Sequence, residues 1–317
     1  MLHRPATVRF RKRHWLLLAL VAVLALGAAV FGLGAVIADT LTRPARRVDP
    51  ELTPARFGAD YQTLALRSAD GRAALAAWLL PVPGSDVGIV LVHGRDFSKS
   101  TTWDGGFVRL AVDLQAAGYQ VLMLDLRGHG ASGDGRYAFG HLERFDVVAG
   151  VRHLVEEAGV QPGQVGLLGV AMGGASALLA AALDLRVGAV WSDSAYADVW
   201  PVIVQEWPRV SGLPLFVLPL VRRVHRLLHG FDLHAVRPVE RVPFIEPRPL
   251  MLVHGQADSL VPVSHARVLA AAAPWAGVWL LEGVEHAGAY QDDPESYTLR
   301  VTEFFDEALR VRFAGRE

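Results

Sequence analysis

The sequence contains no cysteine, which removes disulfide frameworks, thiol nucleophiles and cysteine-bound zinc together and leaves the redox compartment open. It also lacks an excess of charge of either sign, since 31 Lys and Arg stand against 32 Asp and Glu for a net charge of −1. The balance is uneven along the chain. Residues 1–50 hold eight basic and two acidic side chains, net +6, which leaves about −7 for the remainder. A domain of that sign repels a phosphate backbone, so nucleic acid is not an expected partner. Internal repeats and low-complexity tracts are absent as well. With 52% apolar and 20% charged residues the chain has ample material for a buried core, and intrinsic disorder is excluded.

What is present begins with an apolar run. Residues 15–38 are 24 positions without a charge, mostly Leu, Ala, Val and Gly. At about 1.5 Å per helical residue they exceed a bilayer core of roughly 30 Å, which predicts a single-pass membrane helix. Arg4, Arg9, Arg11, Lys12 and Arg13 precede it, whereas Arg43, Arg46 and Arg47 follow, so the basic excess lies on the N-terminal side. That asymmetry predicts an inside N-terminus and an extracytoplasmic domain. A cleaved signal peptide is the alternative, because Val36-Ile37-Ala38 offers the small residues a peptidase needs. Secretory apolar cores are shorter, about 7 to 15 residues. A buried core helix is a third reading, opposed by the basic flank and the lack of any polar face. The expected organisation is a basic segment over 1–14, a span over 15–38, a linker over 39–58 containing three prolines, and one domain over 59–317.

Within the domain, short runs rich in Val, Ile and Leu alternate with helical patterns, the signature of a mostly parallel sheet covered by helices. Eight strands are predicted, at 62–67, 75–80, 88–93, 120–125, 164–169, 188–192, 250–254 and 278–281. Helices are predicted at 107–117, 143–158, 172–183, 264–273 and 295–313. Residues 195–249 interrupt the alternation with prolines and an apolar, arginine-bearing run from Leu213 to His229, and read as an inserted helical lid.

The fifth strand ends in Gly169-Val170-Ala171-Met172-Gly173-Gly174 and runs straight into a helix. Strand, sharp turn and helix with flanking glycines resemble the nucleophile elbow G-x-S-x-G, with alanine where the serine would stand. Asp125-Leu126-Arg127-Gly128-His129-Gly130-Ala131-Ser132 after the fourth strand resembles the D-x-R-G-H-G-x-S segment of α/β hydrolases, and His93-Gly94 resembles their oxyanion-loop motif. His254-Gly255-Gln256-Ala257-Asp258 is similar to the family's H-G-x-x-D, and Gly283-Val284-Glu285-His286 to its histidine turn. On these motifs, in the family's order over about residues 60–313, the chain is identified as a member of the α/β-hydrolase superfamily.

The resemblance implies an eight-stranded α/β-hydrolase sheet with a lid, Ala171 at the nucleophile position, Asp258 as triad acid and His286 as triad base. It implies oxyanion donors on the backbone of Met172 and of Arg95 or Asp96, and an acyl or otherwise hydrophobic small-molecule substrate. Alanine offers neither a lone pair nor an ionisable proton, so covalent acyl transfer is closed at this position. Three readings follow: a serine hydrolase whose serine has been exchanged, a native non-catalytic binding protein that keeps the pocket, or hydrolysis by water activated at His286. Ser176 lies about 140° around the helix from the elbow. Ser192 and Ser194 end the sixth strand and are off the elbow too. His129 and Arg127 are expected to brace their loop, and Glu143 and Asp146 to supply negative charge at a helix N-terminus. His225 and His229 have an i, i+4 spacing, but Arg222, Arg223 and Arg226 crowd them, so no metal is expected. The glycine-rich turn is accounted for by the elbow, so no cofactor is expected.

Overall fold

The computed structural model describes residues 12–311. The runs of Val, Ile and Leu form strands β1 (Gln62–Arg67), β2 (Ala74–Leu80), β3 (Gly88–Val92), β4 (Gln120–Leu124), β5 (Val165–Val170), β6 (Val187–Asp193), β7 (Leu250–Gly255) and β8 (Gly277–Leu281). One sheet orders them β1-β2-β4-β3-β5-β6-β7-β8; β2 runs antiparallel to both β1 and β4, and the remaining pairs are parallel. Every residue of β3, β4 and β5 is buried, as central strands covered on both faces must be.

Alternate strand residues feed two cores. Ile89, Leu91, Val121, Met123 and Leu168 pack with helices α2 (Gly106–Ala116) and α8 (Pro294–Phe305). On the opposite face Val90, Val92, Leu122, Leu124 and Leu167 pack with α3 (Arg144–Glu156), α4 (Met172–Ala181) and α7 (Ser264–Ala272). Strand boundaries agree with the sequence expectation to within one residue. The last helix gives way to a π-helical turn, Asp306–Val311, and the expected residues 312–313 lie outside the described residues.

Helix α1 (Lys12–Leu41) contains the predicted span and is long and apolar enough to cross a membrane. Only Gly34 and Ala38 of it are buried. Arg4, Arg9 and Arg11 of the expected basic segment lie outside the described residues. Between β6 and β7 the chain forms α5 (Val199–Ser211), α6 (Leu218–His229) and short 3-10 turns, in the place expected for the lid.

The segment expected as a linker is not a free tether. Leu41 O accepts from Tyr137 Oη, Asp39 pairs with Arg136, and Arg46 donates to Gly130 O and Ser132 O. The Ala45 N–H donates to Asp96 Oδ1 at 2.9 Å. Residues 39–41 are thus the last turn of α1, and residues 42–58 form a strap across the loops that follow β3 and β4.

Candidate active site

The turn from β5 to α4 is one residue long. Ala171 takes φ 54° and ψ −116°, a conformation that side-chain-bearing residues rarely adopt. Its neighbours explain how the turn closes. A Cβ on Gly169 would stand 2.2 Å from Gly173 O, and one on Gly173 would stand 2.2 Å from Val92 O, so only glycine lets α4 pack against the strand ends. The Ala171 N–H donates to Asp193 O at 2.8 Å and its carbonyl accepts from Ala175 N, which anchors the turn by backbone alone.

Asp258 and His286 follow β7 and β8. His286 Nδ1 is 2.7 Å from Asp258 Oδ2, so Nε2 is the ring nitrogen left for a partner elsewhere. Asp258 Oδ1 accepts from the N–H groups of Leu260 and Val261 at 3.0 and 2.7 Å, and Oδ2 lies 3.2 Å from His254 Nε2. Burial alone would raise the Asp258 pKa, but hydrogen bonds from His254 and His286 outweigh it and hold the carboxyl down at about 2. A carboxylate so fixed stays ionised and can orient an imidazole and stabilise its protonated form.

Ala171, Met172, Arg95, Asp96 and His286 line one chamber of about 560 Å³. A Cβ on Gly94 would lie 3.4 Å from the Ala171 Cβ, so the loop after β3 passes in contact with the elbow. Met172 begins α4, where helix geometry leaves its N–H without an intrahelical partner. Asp96 takes φ 64° and is held by the strap through Ala45, which aims this loop into the chamber.

The loop after β4 is structural, as expected. Arg127 makes buried bonds to Asp146 at 2.7 to 3.1 Å and pairs with Asp70 at 3.1 Å. Asp125 accepts from Lys99 N and Ala131 N, both at 2.9 Å, and pairs with Lys99 Nζ. His129 Nδ1 bonds Arg127 O at 3.0 Å. Glu143 and Asp146 differ from the expected helix-terminal charges, because both are fully buried. Glu143 accepts from Ala138 N and Gly140 N at 2.7 Å each, and so folds the intervening Phe139, at φ 52°, toward the chamber. Complete burial, then the charge of Asp146, pushes the Glu143 carboxyl up to about 7.

The three serines nearest the elbow in sequence are not held as nucleophiles. Ser176 Oγ donates to Met172 O within α4, and Ser194 Oγ donates to Asp193 while accepting from Ala287 N. Ser192 Oγ is buried, with no partner among the described residues. Sequence reasoning missed Trp103, whose indole N–H donates to Ala287 O at 2.7 Å and whose ring stacks on Tyr290 at 4.6 Å. It braces the turn that carries His286. No sequence pattern marks it, since its partners lie more than 180 residues away.

An elbow between the fifth strand and its helix, a histidine after the last strand and an eight-stranded sheet with a lid after β6 define a class, and the chain has the α/β-hydrolase fold. Its residues 86–229 match the family of serine aminopeptidases, S33. The uncharacterized protein YqkD of Bacillus subtilis (strain 168) is 27% identical over 222 residues, covering 69% of this chain and 70% of YqkD. Among solved structures, the Pyrococcus furiosus esterase Pf2001 has TM-score 0.69 and 24% identity, over 84% of this chain and 98% of its own. The α/β hydrolase GrgF from Penicillium sp. sh18 has TM-score 0.63 and 20% identity, over 79% of this chain and 99% of its own. At these identities the structural likenesses establish the fold.

Proposed function

We propose that this is a membrane-tethered α/β hydrolase, its domain extracytoplasmic, whose parent chemistry is hydrolysis of a carboxylic ester, thioester or amide through residues 171, 258 and 286. The observation that carries this reading is the chamber lined by both the elbow and His286, with His286 Nδ1 on the Asp258 carboxylate. With a serine at 171, His286 Nε2 would take the hydroxyl proton as the oxygen attacks the carbonyl carbon. Met172 N–H and the Arg95 or Asp96 N–H would hold the oxyanion. The protonated imidazole would then give its proton to the leaving group, and water would repeat the sequence to release the acid.

With alanine at 171 the covalent route is closed, and what remains is a pocket that binds an acyl group. Triad knockouts that keep the oxyanion hole retain about 10³ to 10⁴-fold over water. The codon for residue 171 in the gene distinguishes an exchanged serine from a native alanine. The experiment that tests the parent chemistry is Ala171→Ser. The variant should react with a fluorophosphonate probe at residue 171 and hydrolyse short p-nitrophenyl esters with a burst, whereas the alanine chain does neither. A folded Ala171→Ser protein that neither labels nor turns over any acyl substrate would leave the non-catalytic binding reading standing.

A further inference from the structure

A second, smaller cavity lies between the base of α1 and the lid. Its volume is about 80 Å³, and its wall includes Ala38 and Leu41 of α1 with Val202, Ile203, Trp207 and Leu218 of the lid. Arg95, Phe139 and Val202 line both this slot and the main chamber, so one layer of side chains separates the two. Phe139 stands in that layer. Its backbone is held at φ 52° by the two N–H bonds to Glu143 on either side and by Tyr196 Oη on its carbonyl. The side chain is only half-buried and stands edge-on to Tyr137, with ring centroids 4.9 Å apart.

The position of α1 fixes what this slot faces. Ala38 shares a small apolar core with Trp207, Leu218 and Val221, while a Cβ on Gly34 would stand 3.0 Å from Val224. Earlier residues of α1 meet later residues of α6, so the two helices run antiparallel. About 20 residues suffice to cross the hydrocarbon, and counted from Trp15, the first residue of the uncharged run, they end near Gly34. Ala38 then lies about 6 Å beyond the hydrocarbon edge, at the depth of the lipid headgroups. The end of α6 points back toward the bilayer, with Leu227 72% exposed. Arg223 and Arg226, on the same helix, are exposed where anionic headgroups would stand.

We propose that the slot between the base of α1 and the lid receives the apolar chain of an acyl lipid held in the bilayer, and that the chain's carbonyl reaches position 171 past Phe139. The inference rests on the proposed anchor and acyl chemistry and deepens them: the substrate is a membrane amphiphile, presented by the helix that tethers the domain. An apolar slot of this kind binds through burial of methylenes, so an ester whose chain is long enough to enter it should be preferred over one that is too short.

Two readouts test it. In full-length Ala171→Ser protein reconstituted in nanodiscs, Val210→Trp fills the half-exposed rim of the slot. The ratio of kcat/KM on a 16-carbon p-nitrophenyl ester to that on a 4-carbon ester should fall at least tenfold, and an unchanged ratio overturns the proposal. Independently of catalysis, the Ala171 chain in nanodiscs is irradiated with a phospholipid bearing a diazirine at its acyl terminus. Labels competed by unmodified lipid at Leu41, Trp207 or Leu218 are expected. Labels confined to residues 15–34 would refute the slot even if Ala171→Ser proved active. Slot labelling with an inert Ala171→Ser would refute the hydrolase reading and leave the lipid site in place.

Discussion

Replacing Ala171 with glycine should stabilise the folded chain, although the same exchange inside a helix is destabilising. At φ 54° and ψ −116° the alanine methyl crowds its own backbone, and strain of this kind is about 1 to 3 kcal/mol. Glycine removes it. Against that, glycine loosens the unfolded chain by about 0.4 to 1 kcal/mol, and a half-buried methyl is lost at roughly 0.5 kcal/mol. The remainder is about 1 kcal/mol of added stability, which for a domain of this size raises Tm by about 2 to 4 °C. Nothing else in the turn should respond, because its anchors are the Ala171 N–H to Asp193 O and the Ala175 N–H to Ala171 O, both backbone. Thermal unfolding followed by circular dichroism, with Ala177→Gly in the buried interior of α4 as the control, reads the sign directly. The control should lose at least 1 kcal/mol. If Ala171→Gly drops Tm as the control does, residue 171 has ordinary helical backbone and the elbow description is wrong.

Three further outcomes follow from the same geometry. Arg127→Ala leaves the carboxylates of Asp146 and Asp70 without their shared guanidinium in a buried site and should lower stability by about 3 to 5 kcal/mol, read from denaturant midpoints; a loss below 1 kcal/mol would contradict a buried network. Asp258, held at about 2 against an ordinary 3.8, contributes stability that is complete above pH 3.8 and is lost as pH falls through 2, at most about 2 kcal/mol because His286 is partly exposed. Asp258→Asn should therefore flatten the acid limb of Tm against pH, and an unaltered limb would show that the carboxylate is not so held. If α1 is a retained anchor, carbonate-washed membranes keep the full-length protein in the pellet, whereas a soluble form beginning at Asp39 would make the segment a signal peptide.

The parts of the molecule visible in the sequence are those whose causes are local. A strand buried on both faces must be a short run of β-branched and aliphatic residues, so β3 to β7 could be bounded from composition. The elbow could be located because its two glycines face backbone oxygens at distances no side chain tolerates. The strap escaped notice because its contacts are remote: Ala45 meets Asp96 across 51 positions and Arg46 meets Gly130 across 84. Prolines and arginines there looked like a spacer. Glu143 was misread for a related reason, since a carboxylate beginning a helix is ordinarily a solvated charge. Only the fold of residues 138–140 over it turns it into a buried acceptor.

The same division explains how the proposed site keeps its geometry with alanine at 171. The conformation at position 171 is imposed by Gly169, Gly173 and the carbonyl of Asp193, none of which touches a hydroxyl. The Asp258 carboxylate is fixed by N–H groups of its own loop and by His254, whether or not His286 has anything to deprotonate. A serine at 171 would add an oxygen to a frame that is already assembled. On the proposed reading, geometry sets the class of chemistry, while a single side chain that contributes nothing to the geometry decides whether that chemistry proceeds.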